Sequence, residues 1–509
     1  MSVLKKFAGH TLIYGLSTII ARVLNFVLTP LFVREFPTAV YGVFTNLYSW
    51  AALLNSLLAF GMETTYFRFL DKHEGDKRTV FNNSFVVTLI TSGIFLLTVL
   101  SFRDQIAGVL AQWMGNGADL ADFRQYVLYF TLLLVADALA VLPFARIRAA
   151  GRPLRFAFIK IINILTVVGF NLFFIVFIPW LIEAGSLSWL RFESWYRPGW
   201  LGYVFISNLI ASGLTLILLL PELAKFRFSV DRGLLWRMTQ YSFPILIANI
   251  SFIINELLDK MVLIPRLLPA EQAATDLGIY GAVSKLAIFL SIAVQAFRLG
   301  AEPFFFSYAK QANARQVYAI IMDYFVILMV LAMVGLTANI EILKYFIKAG
   351  DPVEQVKYWS GLKIIPVLLL SYVFLGIYTN LSIWYKLSDQ TRYALYISGI
   401  GAVATLTLNL IFIPMYSYVA AAWVTLAAYF VMVVISYYWG QKNYAIPYRL
   451  WKNLAYILAG TLLCWISFYL FDRHLLLGNL LFAGFLVATV LLERKKLRSL
   501  LRRSGSDAV

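Results

Sequence analysis

Cysteine is almost missing from this sequence. The one present, Cys464, stands inside an apolar run, so no intrachain disulfide can form. Histidine is nearly as scarce: His10, His73 and His474 are scattered, and no group of residues has metal-ligand spacing. No glycine loop of the G-x-x-x-x-G-K-[ST] type is present, which argues against ATP hydrolysis by the chain itself. Nucleic-acid motifs are absent as well. Charge is sparse at 14% of residues, against about 25% in soluble domains. In its place are apolar side chains, 61% of 509 residues, with a mean hydropathy of +0.77. A water-facing fold cannot hide that excess.

Apolar runs of about 20 residues recur from end to end, each long enough to cross a hydrocarbon core of about 30 Å as a helix. The expected spans are 8–32, 40–67, 80–102, 124–145, 156–181, 200–221, 241–265, 277–304, 317–338, 359–383, 393–414, 417–439, 452–471 and 475–493. The first follows lysines but has no small-residue cleavage site, so it reads as a retained helix and not a signal peptide. Loops such as "RIRAAGRPLR", "KFRFSVDRGLLWR" and the tail "ERKKLRSLLRR" alternate with poorly basic ones. One side collects about 26 Lys+Arg against about 7 Asp+Glu, the other about 10 against about 12, and the basic side of a membrane protein is the cytoplasmic one. Both termini are therefore expected inside. Most of the formal charge of +17 reflects this asymmetry and its attraction to anionic headgroups. The loop "SLSWLRFESWYRPGWLGY" (186–203) is expected outside, its Trp and Tyr rings in the headgroup layer.

The chain also contains a copy of itself. Tyr41, Gly42, Gly61 and Glu63 recur at an offset of 239 as Tyr280, Gly281, Gly300 and Glu302. Both sets open and close the second span of a six-span block. The expected architecture is an all-α polytopic membrane protein of 14 transmembrane helices. Residues 1–222 form an N-lobe and 223–440 a C-lobe, six helices each, related by a pseudo-twofold along the membrane normal. Residues 441–509 add two helices and a basic cytoplasmic tail. Secondary transporters are often built from such repeats, with the substrate between them, and two lobes in one chain let a monomer enclose a cavity.

Polar side chains mark where that cavity should be. On the first span Thr11, Tyr14, Thr18, Arg22, Asn25 and Thr29 form one stripe about 27 Å long. Ser284, Ser291, Gln295, Arg298 and Glu302 do the same on the eighth. The seventh aligns Ser242, Asn249, Glu256 and Lys260, with Asn255 and Asp259 alongside, and the second carries Thr45, Ser49, Ser56 and Glu63. The third, sixth, twelfth and fourteenth spans show no comparable stripe. A charge at the centre of a spanning helix costs about 2.5–3.5 kcal/mol even on the lenient insertion scale, so it faces a partner or water. Glu256 with Lys260, and Arg298 with Glu302, are four apart and can neutralise each other. Glu63, Arg68 and Lys160 read as snorkelling to the inner surface. Asp137 is alone on the fourth span; it either locks onto Arg22 or titrates, and with Glu256 and Asp259 it is a candidate for ion coupling. Arg22 has no acid within a turn and reads as a substrate contact. Arg298 near the inner mouth, Arg22 at mid-depth, and Lys285, Lys260 and Lys363 toward the outside form a track of cations, with Asn25 and Gln295 beside it. Such a track suits an anionic cargo, above all a phosphate.

The opening "GHTLIYGLSTIIARVLNFVLTPLFVREFPTAVYGVFTNLYSWAALLNSLLAFGMETTYFRFL" resembles the oligosaccharide flippases of bacterial polysaccharide biosynthesis. The cues are an Arg in the first span, Tyr-Gly at the start of the second, and the Gly61-to-Arg68 exit. The family lies in the superfamily of lipid II flippases and multidrug and toxin extruders. The resemblance implies a two-lobed bundle in the bacterial inner membrane that alternates between inward-open and outward-open states. It implies an undecaprenyl-diphosphate-linked glycan moved from the cytoplasmic to the outer leaflet, with Arg22 at the diphosphate. Membrane lipids, a polysaccharide polymerase and glycosyltransferases are the implied partners; no cofactor and no enzymatic activity are expected. Two transport alternatives stand beside it: a lipid II flippase and a cation-coupled multidrug exporter. A membrane glycosyltransferase or polymerase would need longer charged outside loops than the 18 to 22 residues or so found here.

Overall fold

The computed structural model describes residues 26–72, 76–114, 119–185, 192–309, 311–388, 390 and 392–506. The described backbone is almost wholly helical, without strands. Helices satisfy every backbone group internally, as lipid demands. Aspartates in the connections start several of them: Asp76 accepts from the Thr79 N–H at 3.0 Å and Asp231 from Leu234 at 3.0 Å.

Twelve helices among the described residues are long and apolar enough to cross a membrane. The expected first span lies outside the described residues except for its end. The other expected spans each overlap one of the twelve, but two share the 52-residue helix Arg392–Asn443. At 1.5 Å per residue that helix would be about 78 Å long, far more than one crossing needs. It breaks at Ser417, whose φ is +52°, three residues after Pro414, and both expected spans lie along it. Among the helices not expected, one has 12 residues. Arg103–Met114 lies in a stretch read as a connection, and buries Ala107, Leu110 and Met114.

We label the elements used below α1 (Thr38–Ala59), α2 (Met62–Lys72), α3 (Lys77–Ser101), α4 (Leu120–Ala149), α5 (Pro153–Leu172), α6 (Gly202–Leu223), α7 (Arg232–Leu258), α8 (Ala270–Tyr308), α9 (Ala314–Ala338), α10 (Leu450–Trp465) and α11 (Leu475–Ser506). Between α1 and α2 the chain turns through Phe60 and Gly61, both left-handed at φ +49° and +65°. A π-helical segment, Asp259–Leu263, continues α7.

The helices form two compact units. The first comprises Met1–Ala282, Lys348–Ser360 and Ala394–Val424; the second comprises Val283–Ile347, Gly361–Tyr393 and Thr425–Val509. In the first, α6 packs against α4 and α5, and α3 against α4. Met62, Phe81, Leu142 and Met238 form one of its apolar cores. In the second, α9 is the centre, with α10 and α11 against it. A charge network ties them: Asp323, 1% exposed, sits 3.5 Å from Arg449 and 3.7 Å from Lys452, and Lys452 is 2.8 Å from Glu493.

Within the first unit α1 and the start of α8 touch backbone to backbone. A Cβ on Gly42 would fall 1.8 Å from the Ala274 carbonyl oxygen, and one on Gly278 would fall 1.8 Å from that of Thr38. Small residues let membrane helices approach this closely. Gly278→Leu should therefore cost more than the 1–3 kcal/mol or so typical of overpacking, since backbone cannot swing aside. The expected readout is a lowered melting temperature and loss of the monodisperse peak in detergent. Gly93→Leu, where nothing lies within 4 Å, should leave both unchanged.

Candidate functional site: a polar cavity in the first unit

Inside the first unit, α1, α2, α4, α5 and α6 surround a cavity of about 610 Å³. Its polar lining is Tyr48 and Asn55 from α1, Glu63 from α2, Asp137 and Arg148 from α4, Lys160 and Asn163 from α5, and Asn208, Ser212 and Thr215 from α6. Leu133, Val141, Phe144 and Phe156 supply apolar wall.

The charges are paired. Arg148 forms an ion pair with Glu63. Asp137 accepts a hydrogen bond from Ser212 at 2.6 Å and has Lys160 as its nearby cation. The Lys160 ammonium also lies 4.4 Å from the centre of the Phe144 ring, a cation–π contact. Asn163 donates to Thr215 at 3.0 Å. Two acids and two cations make the cavity charge-balanced, with amides and hydroxyls in between. It can hold water or a polar ligand in surroundings that are otherwise apolar.

Two readings of the sequence need correction. The sixth span was expected to lack a polar stripe, yet Asn208, Ser212 and Thr215 line the cavity; their spacing of four and three puts them on one face. Lys160 and Glu63 were expected to snorkel to the inner surface, but both line the cavity, Lys160 near Asp137 and the Phe144 ring and Glu63 paired with Arg148.

The other expected site residues are distributed as follows. Arg22 and Asn25 lie outside the described residues. Asp259, 3% exposed, occupies the π-helical segment; one carboxylate oxygen accepts from the Lys260 N–H at 2.8 Å, and the other has no hydrogen-bond partner among the described residues. Such bulges are frequent at functional positions. Asn46 of α1 donates to the Lys260 and Met261 carbonyls at 2.8 and 3.0 Å. The Lys260 ammonium sits 4.4 Å from the centre of the Tyr280 ring. One turn earlier, Asn255 donates to the Ser398 carbonyl at 2.9 Å and accepts from Thr405 at 3.1 Å. Glu256 is half-buried on the same helix. These residues belong to the first unit. Lys285, Gln295, Arg298 and Lys363 belong to the second, where Lys285 and Gln295 are half-buried and Arg298 and Lys363 exposed. The Glu302 side chain lies outside those described.

The described part of the aromatic loop expected outside is tied to α4. Arg197 makes a two-pronged ion pair with Asp122 at 2.7 and 2.8 Å, and the Trp200 indole donates to the same carboxylate at 3.0 Å. The hydrogen bond to Asp122 raises the Arg197 pKa.

Solved structures of multi-pass membrane proteins share this bundle of long apolar helices. The chain is similar to a lipid II flippase MurJ in an inward closed conformation, with a TM-score of 0.71 and 14% identity, over 95% of this chain and 99% of that one. It is similar to a multidrug resistance MATE family transporter of the MOP superfamily seen inward-facing (TM-score 0.63, 12% identity, 83% and 94% of the two chains). An outward-facing conformation of such a transporter also matches (TM-score 0.58, 12% identity, 86% and 95%). The sequence profile of the polysaccharide biosynthesis protein family matches residues 7–301, and the chain belongs to that family. No curated protein matches its sequence significantly.

The pairing inside the cavity can be tested by removing its members in turn. Lys160→Met leaves Asp137 without its cation and should destabilise the protein by about 1–3 kcal/mol, less than for a wholly buried pair because both side chains reach the cavity. Adding Asp137→Asn should recover part of the loss. A double variant no more stable than Lys160→Met, in detergent melting curves, would show that the two do not interact.

Proposed function

We propose that the protein flips a polyprenyl-diphosphate-linked oligosaccharide from the cytoplasmic to the outer leaflet by alternating access. One observation carries the reading: a member of the polysaccharide biosynthesis family encloses a polar, cation-bearing cavity within membrane-crossing helices. A lipid-linked sugar presents an anionic headgroup, many hydroxyls and an apolar tail. The tail stays in the bilayer; the glycan needs water and hydrogen-bonding groups; the diphosphate needs cations. In this reading Arg22 contacts the diphosphate at mid-depth. Arg298, Lys285, Lys260 and Lys363 make up the rest of the track, with Asn25 and Gln295 beside it.

The two expected lobes, residues 1–222 and 223–440, move about the cargo, and residues 441–509 are attached to them. The protein acts as a monomer in the bacterial inner membrane with both termini cytoplasmic, as the basic loops favour. No bond of the cargo is broken, so the chain works as a transporter and not an enzyme. Movement draws on an ion gradient or on consumption of the product. Asp137, Glu256 and Asp259 are the candidates for ion coupling; the half-satisfied carboxylate of Asp259 supports its inclusion. Glycosyltransferases upstream and a polymerase downstream are the partners this chemistry requires.

Likeness to a lipid II flippase along nearly its whole length favours lipid II as a second reading. Rescue of cells depleted of their own lipid II flippase would establish it. For the first reading, Arg22→Ala should abolish polymer export while membrane insertion stays normal, and Arg22→Lys should retain part of it. Undiminished export by Arg22→Ala would remove the diphosphate role.

A further inference from the structure

At the face expected inside, four cations crowd around one acid. Glu222, near the end of α6, is 3% exposed. One of its carboxylate oxygens lies 3.0 Å from Arg155 and 3.9 Å from Arg152; the other lies 3.1 Å from Lys225 and 3.5 Å from Arg146. Among the described residues no second carboxylate pairs with any of the four. One negative charge against four positive leaves an excess of three. The carboxylate's acceptor sites are taken up, while each guanidinium has five N–H donors to place. Those donors are reachable: the side chains of Arg152, Lys225 and Arg155 are 55%, 48% and 31% exposed.

Two further features sit at the same place. Arg152 is the N-cap of the 20-residue α5 and makes no side-chain cap, so the positive end of that helix adds to the field. Directly along α5, Leu154, Phe158, Ile161 and Leu165 are 75%, 60%, 43% and 62% exposed. Their spacing of four, three and four makes an apolar stripe leading away from the cations toward the membrane core. A ligand that satisfies both halves carries concentrated negative charge at one end and hydrocarbon at the other.

We propose that Arg146, Arg152, Arg155 and Lys225, held in place by Glu222, bind the phosphate headgroup of an inner-leaflet lipid, whose chain lies on the α5 stripe. Glu222 serves as the template that fixes the cations; the arginine forks and the lysine supply paired hydrogen bonds to phosphate oxygens. The excess of three charges matches a diphosphate better than a singly charged phosphodiester. That preference rests on the flippase reading, in which the site captures the carrier lipid before translocation; the site itself does not depend on it. Its neighbours favour onward passage, since Arg148 follows Arg146 on α4, and Lys160 follows Arg155 on α5, and both line the polar cavity.

Native mass spectrometry of the full chain in detergent tests this with three probes: farnesyl diphosphate, farnesyl monophosphate and phosphatidylglycerol. Farnesyl diphosphate should bind most tightly, with an affinity that falls as salt rises. Arg152→Gln with Arg155→Gln should weaken it roughly 30-fold, at about 1 kcal/mol per cation. The corresponding double Lys variant keeps the charge and should retain most binding, which separates loss of the site from misfolding. Cation-dependent binding of phosphatidylglycerol in preference to farnesyl diphosphate would support a lipid phosphate site and assign it to a membrane phospholipid. Equal binding of every probe by wild type and the Gln variant would overturn the site. Because no transport is measured, failure of the flippase reading leaves these results unaffected.

Discussion

A charge carried into a bilayer must bring its own partner or its own water, and the rest of this structure follows from that constraint. Hydrocarbon offers neither, and several ionisable groups among the described residues have a neighbour that makes them tolerable. Asp137 has Ser212 and Lys160; Glu63 has Arg148; Lys260 has the face of Tyr280; Asp323 has Arg449 and Lys452. The pairs serve different ends. Asp323 and its cations fasten the last two helices to α9. The pairs around Asp137 line an open cavity, and a chain that needed only stability would have filled it with leucine, since hydrophobic replacement of buried ion pairs is commonly neutral or stabilising. Polar groups around such a volume suit it to water or a polar ligand.

The same constraint explains the backbone. Departures from the regular α-helix include Phe60–Gly61, the π-helical segments Phe173–Phe177, Asp259–Leu263 and Ile466–Leu470, and Ser417. Three of these adjoin polar side chains: Glu63 follows the first, Asp259 begins its π-helical segment, and Ser417 donates to Asp276. Close contact of α1 with α8 through Gly42 and Gly278 shows the complementary device, small residues where two backbones must touch. Of these features the turn at Phe60–Gly61 bears on the cavity, since it stands between Asn55 and Glu63, which both line it.

Much of the fold was legible in the sequence because the bilayer imposes a coarse rule. Apolar runs of fixed length marked the spans, and the break at Ser417 falls on the first residue of the second of the two runs expected there. The site was legible only in part. Asp137 stood out because a lone acid in an apolar helix has no innocuous explanation, whereas Lys160, some way along α5 from the nearest basic loop, had one in snorkelling. Asn208, Ser212 and Thr215 share a helix face, but hydroxyls and amides can bond their own helix carbonyls, as Ser207 and Thr215 do, so the pattern is weak until neighbours are known. The helix Arg103–Met114 was hidden because its apolar face is too short to register as a span. The cluster on Glu222 was hidden for another reason: its cations looked like ordinary inside-positive charge, and only the fold shows that four of them converge on one carboxylate.

The central claim is that the cavity lined by Asp137 and Lys160 is wet and reachable from water in the folded protein. Having a single cysteine makes this directly measurable. With Cys464 replaced by serine and Asn208 by cysteine, a charged, membrane-impermeant thiol reagent applied to the native protein should modify the new thiol readily. Modification only after denaturation would mean a dry, sealed pocket, and the account of a polar path through this unit would be wrong.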